Sequence, residues 1–235
     1  MGGGVGRGVD TCVYFELEMF SHWERSSCSQ STSVYRGYHM KITLDHNCLI
    51  ALEKNESEAP YIKKLIAMHD DKKVIIRVVG IGASERLPGG TYAANFDEFK
   101  KRIAAVGLAH VEILQPISYW DITFWDWGIW SDDQMIQLER KIHGVLFPNI
   151  EFDYALFYQR KGLNPSSKEI DRRWRNAKCD VLTIWSHIYY GGDIFVTNDI
   201  PAFLRKTKKA RLIAVGAGDI LTPQETVAKL EVAQS

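Results

Sequence analysis

The chain has 235 residues, sets 29 Lys and Arg against 29 Asp and Glu, and is 46% hydrophobic. That length can bury a full core in one domain, and the charge balance gives no global pull toward nucleic acid or membrane, so an anionic partner must be met by a local patch. Cys12, Cys28, Cys48 and Cys179 are scattered without a CxxC pair, which argues against a disulfide framework or zinc knuckle and for reduced thiols in a cytoplasmic setting.

Residues 1–39 differ in composition from the rest of the chain. Gly2, Gly3, Gly4, Gly6 and Gly8 crowd the start, and Ser26–Ser33 is a polar low-complexity run. A disordered or loosely docked arm is expected there, without a secretory leader. Translation from Met40, directly before the first strand, is left open. No apolar run approaches the roughly 18 residues of a membrane span.

The folded part is expected over 40–235. Ile42-Thr43-Leu44 reads as a short strand with Asp45 at its tip, and Asn47 is placed to cap a helix beginning at Leu49. Pro60 opens a helix carrying Ile62, Leu65, Ile66 and Met68. Val74–Val79 is a continuous β-branched strand of the kind buried in a parallel sheet. Gly80–Leu87 then turns off its end and sets Glu85 near it. After Gly89-Gly90, Asn95 precedes a helix over 96–109, and 110–117 reads as a strand. Such alternation predicts a three-layer α/β/α sandwich with a mostly parallel central sheet.

Residues 118–150 break the rhythm. Trp120, Trp125, Trp127 and Trp130 are four of the chain's seven tryptophans, so this stretch is read as an aromatic-rich insertion. Two readings stay open: a flap whose rings pack on the domain, and a platform on which unpaired bases stack. Asp132 or Ser131 caps a helix to about Gly144; Phe152–Tyr158 is either a strand or a short helix. Asn164-Pro165 starts a further helix whose exposed side carries Lys168, Arg172, Arg173 and Arg175. Asp180 opens the apolar run Val181, Leu182, Ile184, Trp185, Ile188, closed by Gly191-Gly192. A buried strand, Ile194-Phe195-Val196, delivers Thr197-Asn198-Asp199 at its carboxyl end, where open α/β sheets bind ligands. Arg211–Val215 reads as a last strand, followed by a helix capped by Thr222 with Pro223.

Asp45, Glu85, Asp180 and Asp199 are distant in sequence, but a doubly wound sheet can gather them at one edge. Clustered carboxylates repel unless a cation compensates, and hard oxygen ligands suit Mg²⁺ or Mn²⁺. Two such ions about 3.5–4 Å apart suit phosphodiester hydrolysis. No Walker or G-x-G-x-x-G loop competes. Asp193, at the wrong end of its strand, is expected to be structural, and His143 and His187 are expected to be satisfied within the fold. Arg205, Lys206, Lys208, Lys209 and Arg211 form either a solvated face or a grip on phosphates.

These residues resemble a family. Asp45-His46-Asn47-Cys48-Leu49-Ile50 is similar to the opening motif of the PIN (PilT N-terminal) domain ribonucleases. Asp180 with its apolar helix is similar to their third acid, and Val196-Thr197-Asn198-Asp199 to their terminal motif. Glu85 best matches the second acid, with Glu58 and Glu53 as alternatives. The resemblance spans about residues 40–220. It implies a PIN-like fold and an endoribonuclease using Mg²⁺ or Mn²⁺, with Asp45, Glu85, Asp180 and Asp199 as catalytic metal ligands. Asn47, Thr197 and Asn198 would support them; Arg205, Lys206, Lys208 and Lys209 would bind RNA, single-stranded by expectation. An inhibitory protein partner and a homo-oligomer are left open; no membrane association is expected. Two rivals are a degenerate PIN-like module that binds RNA or protein without cutting, and a small-molecule phosphohydrolase, against which Asn47 counts because that class usually carries a D-x-D pair.

Overall fold

A computed structural model describes residues 39–85, 93–162 and 170–234. The expectations for the N-terminal arm through residue 38, for Gly89-Gly90, and for the Asn164-Pro165 helix start with Lys168 lie outside the described residues.

Five strands form one parallel sheet: β1 (Met40–Leu44), β2 (Val74–Val79), β3 (Glu112–Leu114), β4 (Ile194–Val196) and β5 (Asp219–Leu221), in the order β3-β2-β1-β4-β5. All four pairings are parallel. Successive side chains on a strand face opposite sides, and the core divides accordingly. Ile42, Leu44, Ile76, Val78, Ile194 and Val196 pack with α1 (His46–Lys54), α2 (Ala59–Asp70), α3 (Phe96–Ala105) and α8 (Pro223–Gln234). Leu114, Phe195 and Ile220 pack with α4 (Asp133–Leu146), α5 (Tyr154–Arg160), α6 (Arg172–Tyr189) and α7 (Lys206–Val215). The result is the expected α/β/α sandwich. Among the described residues, no helix is long and apolar enough to cross a membrane.

Several local expectations are corrected. Arg211–Val215 is the second half of helix α7, not a strand. Buried parallel strands are apolar on both faces, whereas here only Leu212 is buried and Ile213 is 41% exposed. Gly216, at φ +114°, ends the helix, and the true strand is the short Asp219–Leu221. Asp180 does not open a helix. Asp171 caps α6, accepting from Arg173 N and Trp174 N, and Asp180 lies in its middle. The apolar positions Trp174, Ala177, Val181, Leu182 and Trp185 keep one helical period across the whole span. Asp45, not Asn47, is the cap of α1. The strand read over 110–117 shrinks to Glu112–Leu114, and the undecided Phe152–Tyr158 stretch becomes α5.

Helices α4 and α6 are pinned by a buried ion pair. Lys178 Nζ lies 2.6 Å from Glu139 Oε1, with side chains 1% and 0% exposed. Tyr119 donates its hydroxyl to the same carboxylate, and the rings of Phe152, Tyr119 and Trp174 surround the ammonium at 4.1, 4.4 and 5.1 Å. Removing one partner leaves an uncompensated charge in the core. Glu139→Ala should therefore cost about 3–5 kcal/mol in urea denaturation, while the double replacement Lys178→Met/Glu139→Leu should cost far less.

Candidate functional site

The chain winds outward from β1 through β2 to β3, then returns to the other side of β1 as β4 and β5. The order therefore reverses between β1 and β4, and the crevice at their carboxyl ends is where open α/β sheets bind ligands. Asp45 follows β1 directly, Thr197-Asn198-Asp199 follow β4, and Glu85 follows the short helical turn Gly80–Ser84 beyond β2. Asp180 reaches the same edge from the middle of α6.

One hydroxyl organises the centre. Thr197, fully buried, donates to Asp45 Oδ2 at 2.7 Å and accepts from Asn47 Nδ2 at 3.2 Å and from Asp199 N at 3.0 Å. Asn47 Oδ1 accepts from Asn198 N at 3.2 Å, so one carboxamide joins α1 to the segment after β4. Asp45 Oδ1 accepts from His46 N at 2.7 Å, and Asp199 Oδ1 takes Ala202 N at 2.8 Å as cap of the π turn Ile200–Leu204.

The electrostatics are those of buried acids that repel one another. Burial pushes the Asp45 carboxyl up to about 6, opposed by the hydrogen bonds from Thr197 and His46 and reinforced by Asp199. Asp180 is raised well above the ordinary carboxylate range by burial, then by Asp45 and Asp199, with Lys208 opposing. Glu85 is raised likewise by burial and by Asp45, Asp180 and Asp199, with Arg102 opposing. Because 28% of the Glu85 side chain meets solvent, water tempers the burial contribution, but repulsion from three carboxylates acts in the same direction. The four acids thus share one electrostatic environment. Among the described residues, no group of three or more His, Cys, Asp or Glu side chains is arranged to hold a metal ion. The donor chemistry nonetheless fits Mg²⁺ or Mn²⁺, which keep several waters and take one or two carboxylates each.

Of the alternative acids, Glu53 forms a two-pronged pair with Arg102 at 2.8 and 2.9 Å. Glu58, at the start of α2, keeps one carboxylate oxygen buried without a hydrogen-bond partner among the described residues. His46 lies 3.8 Å from Glu85, yet burial lowers its pKa to about 4, so the contact is not an ion pair at neutral pH. Asp193 accepts from Lys41 N at 2.7 Å at the opposite end of the sheet. His187 bridges Thr43 Oγ1 (2.9 Å) and Ala217 O (2.8 Å), and His143 meets Ile150 O at 2.7 Å; both are held within the fold.

Arg205 and Lys206 are exposed and Lys208 and Lys209 half-buried, all on or beside α7 and just after Asp199. Sequence reading put Arg172 and Arg173 on an exposed helix side but missed that they line the same groove as Asp180. Helical spacing over an unbroken Arg172–Tyr189 helix was the signal that could have found it. The tryptophans divide between the two readings. Trp127 stacks on Phe96 at 4.5 Å, whereas Trp120, Trp125 and Trp130 are 71%, 51% and 80% exposed, with Trp125 in contact with each of the other two.

No family model matches the chain, and no curated protein matches it. Among solved structures, a chain of VapBC2 from Rickettsia felis, determined bound to a DNA fragment from their promoter, aligns with TM-score 0.37 and 15% identity, covering 78% of this chain and 98% of that one. At that score the likeness carries no functional weight.

An acid held above its ordinary pKa keeps its proton more readily in the folded state than in the unfolded chain. It therefore costs stability at alkaline pH, and the cost fades on acidification toward the ordinary value, 3.8 for Asp180. Asp180→Asn should raise the Tm of the metal-free protein at about pH 8, and differential scanning calorimetry should find the gain shrinking steadily as the pH is lowered to about 5.

Proposed function

We propose that this protein is a PIN-like, divalent-metal-dependent endoribonuclease, hydrolysing RNA phosphodiester bonds at the crevice between β1 and β4. One observation supports the reading: Asp45, Glu85 and Asp180, from separate elements, raise one another's pKa together with burial and with Asp199 near the switch point of the sheet. Asp45, Glu85, Asp180 and Asp199 would hold the metal. Bound there, Mg²⁺ or Mn²⁺ supplies charge compensation to the acids and Lewis-acid polarisation of the phosphodiester.

The chain's own residues do the rest. Thr197 fixes the orientation of Asp45, and Asn47 holds the backbone of Asn198, so both flanks of the crevice keep their spacing. Arg205, Lys206, Lys208 and Lys209, on or beside α7, would serve as phosphate-binding groups for a single strand. The exposed trio Trp120, Trp125 and Trp130, in the insertion between β3 and α4, offers faces for unpaired bases. A cytoplasmic site of action accords with the two described cysteines, Cys48 and Cys179, which are both free and buried. A second reading, a degenerate module that binds RNA or protein without cutting, is favoured by the lack of a ready metal-ligating group among the described residues.

With Mn²⁺ and a mixed-sequence single-stranded RNA, the wild type should cleave and a chelator should stop it. Asp45→Asn should lower the rate about 10²-fold or more, the loss of several kcal/mol of charge stabilisation. Equal, metal-independent cleavage by both proteins would remove the reading, and Mn²⁺ binding without turnover would select the degenerate module. Trp125→Ala should weaken RNA binding by about 5–150-fold, the range of one lost base stack, and leave the salt dependence of binding unchanged because no phosphate contact goes with it.

A further inference from the structure

Asp180 forms part of the wall of a groove of about 680 Å³ that leads away from the acidic crevice. Phe147 and Ile150, from the end of α4 and the turn after it, supply an apolar side; Arg172, Arg173, Asn176 and Asp180 of α6 supply a polar one. Asn176 precedes Asp180 by four residues, and Arg173 and Arg172 precede it by seven and eight. Residues at these intervals share one helix face, and at 1.5 Å per residue the guanidinium pair begins about 10–12 Å from Asp180 along the axis.

Folding does not account for the two arginines. They occupy the first two positions of α6, where positive charge opposes the helix dipole. Both side chains are exposed, and neither forms an ion pair with a described carboxylate. Asp171, which also borders the groove, is neutralised: its carboxylate accepts from Arg173 N and Trp174 N and pairs with Lys161 Nζ at 2.8 Å. On α7, Lys208 Nζ stands 5.5 Å from the centre of the Phe147 ring, and its charge is the one that opposes the rise in the Asp180 pKa. The groove thus runs from acids to cations, with an apolar wall alongside.

We propose that this groove carries the RNA strand away from the cleavage site, with Arg172 and Arg173 gripping phosphates two helical turns from Asp180. Guanidinium forks match phosphate oxygens in pairs, Asn176 offers an amide between them, and Phe147 with Ile150 receives the face of an unpaired base. The occupant is a single strand, because bases held in a duplex cannot turn a face to that wall. This track presupposes the ribonuclease reading of the acids, so its test measures binding apart from cleavage.

The probe is a 5′-fluorescein-labelled, mixed-sequence single-stranded RNA, titrated with the full chain in EDTA across a KCl series. For single strands, the slope of log K against log salt is about 0.7 per phosphate contact. Arg172→Gln/Arg173→Gln should flatten that slope by about 1.4 and weaken binding at low salt, whereas Arg160→Gln, a cation on α5 paired with Glu151, should leave the slope alone. Asn176→Asp, a single exposed change that adds a negative charge inside the groove, should weaken binding without touching the helix start, and it stands as the second variant if the double one fails to fold. An unchanged slope in the double variant overturns the track, even if the wild type cleaves RNA with Mn²⁺. A flattened slope supports it, and does so whether or not cleavage is seen, so failure of the nuclease reading is told apart from failure of the groove. Poly-glutamate bound as tightly as RNA, and released by the same substitutions, would assign the groove to an acidic protein instead and would also overturn it.

Discussion

The Thr197 hydroxyl is the contact on which the acidic crevice depends. It has one proton to give and gives it to Asp45; its lone pairs receive Asn47 and the backbone of Asp199. Two segments, 45–47 after β1 and 197–199 after β4, which the chain brings together through the parallel pairing of those strands, are joined at a single oxygen. Because Thr197 is fully buried, no water can stand in for a missing partner, and an unsatisfied polar group there would cost about 1–3 kcal/mol. The switch point of the sheet creates the crevice; this hydroxyl sets its internal spacing.

Around that point the molecule separates its charges despite a net charge of zero. Carboxylates lie at the carboxyl edge of the sheet, partly withdrawn from water, while cations ring the approach on α7 and at the start of α6. Such a distribution is poor for the stability of the isolated fold, since buried like charges raise one another's free energy. Under the proposed function, it would suit an anionic polymer drawn in at the rim and met by divalent cations at the centre. The buried opposite-charge pair of Lys178 with Glu139 lies between α4 and α6 and serves packing instead.

Much of this is legible in the sequence, for identifiable reasons. Val74–Val79 is apolar and β-branched throughout, so its burial in a parallel sheet follows directly. Asp45 and Asp199 each follow a short apolar run, which puts them at strand ends. Where local signals are ambiguous, reading fails. The segment Arg211–Val215 has β-prone side chains, yet Arg211, Leu212 and Ala214 suit a helix equally, and the sequence alone does not decide between them. Asp180 reads as a helix start because an acid directly ahead of an apolar run is an ordinary capping signal, while the true cap, Asp171, reads as the interior of a different helix. The grouping of Arg172, Arg173 and Asp180 becomes visible only when those two stretches prove to be one continuous helix. The tertiary pairing of Glu139 with Lys178 has no local signal at all.

The same continuity sets the bearing of Asp180. His187 lies seven residues further along α6, two turns away on the same face. Its ring is clasped on one side by the Thr43 hydroxyl of β1 and on the other by the Ala217 carbonyl that leads into β5. Gly192 passes so close that an added methyl would overlap the imidazole. Helix α6 is therefore keyed against the sheet near its tail and cannot roll about its own axis. A neutral histidine two turns from Asp180 in this way fixes the compass heading at which that acid looks into the crevice.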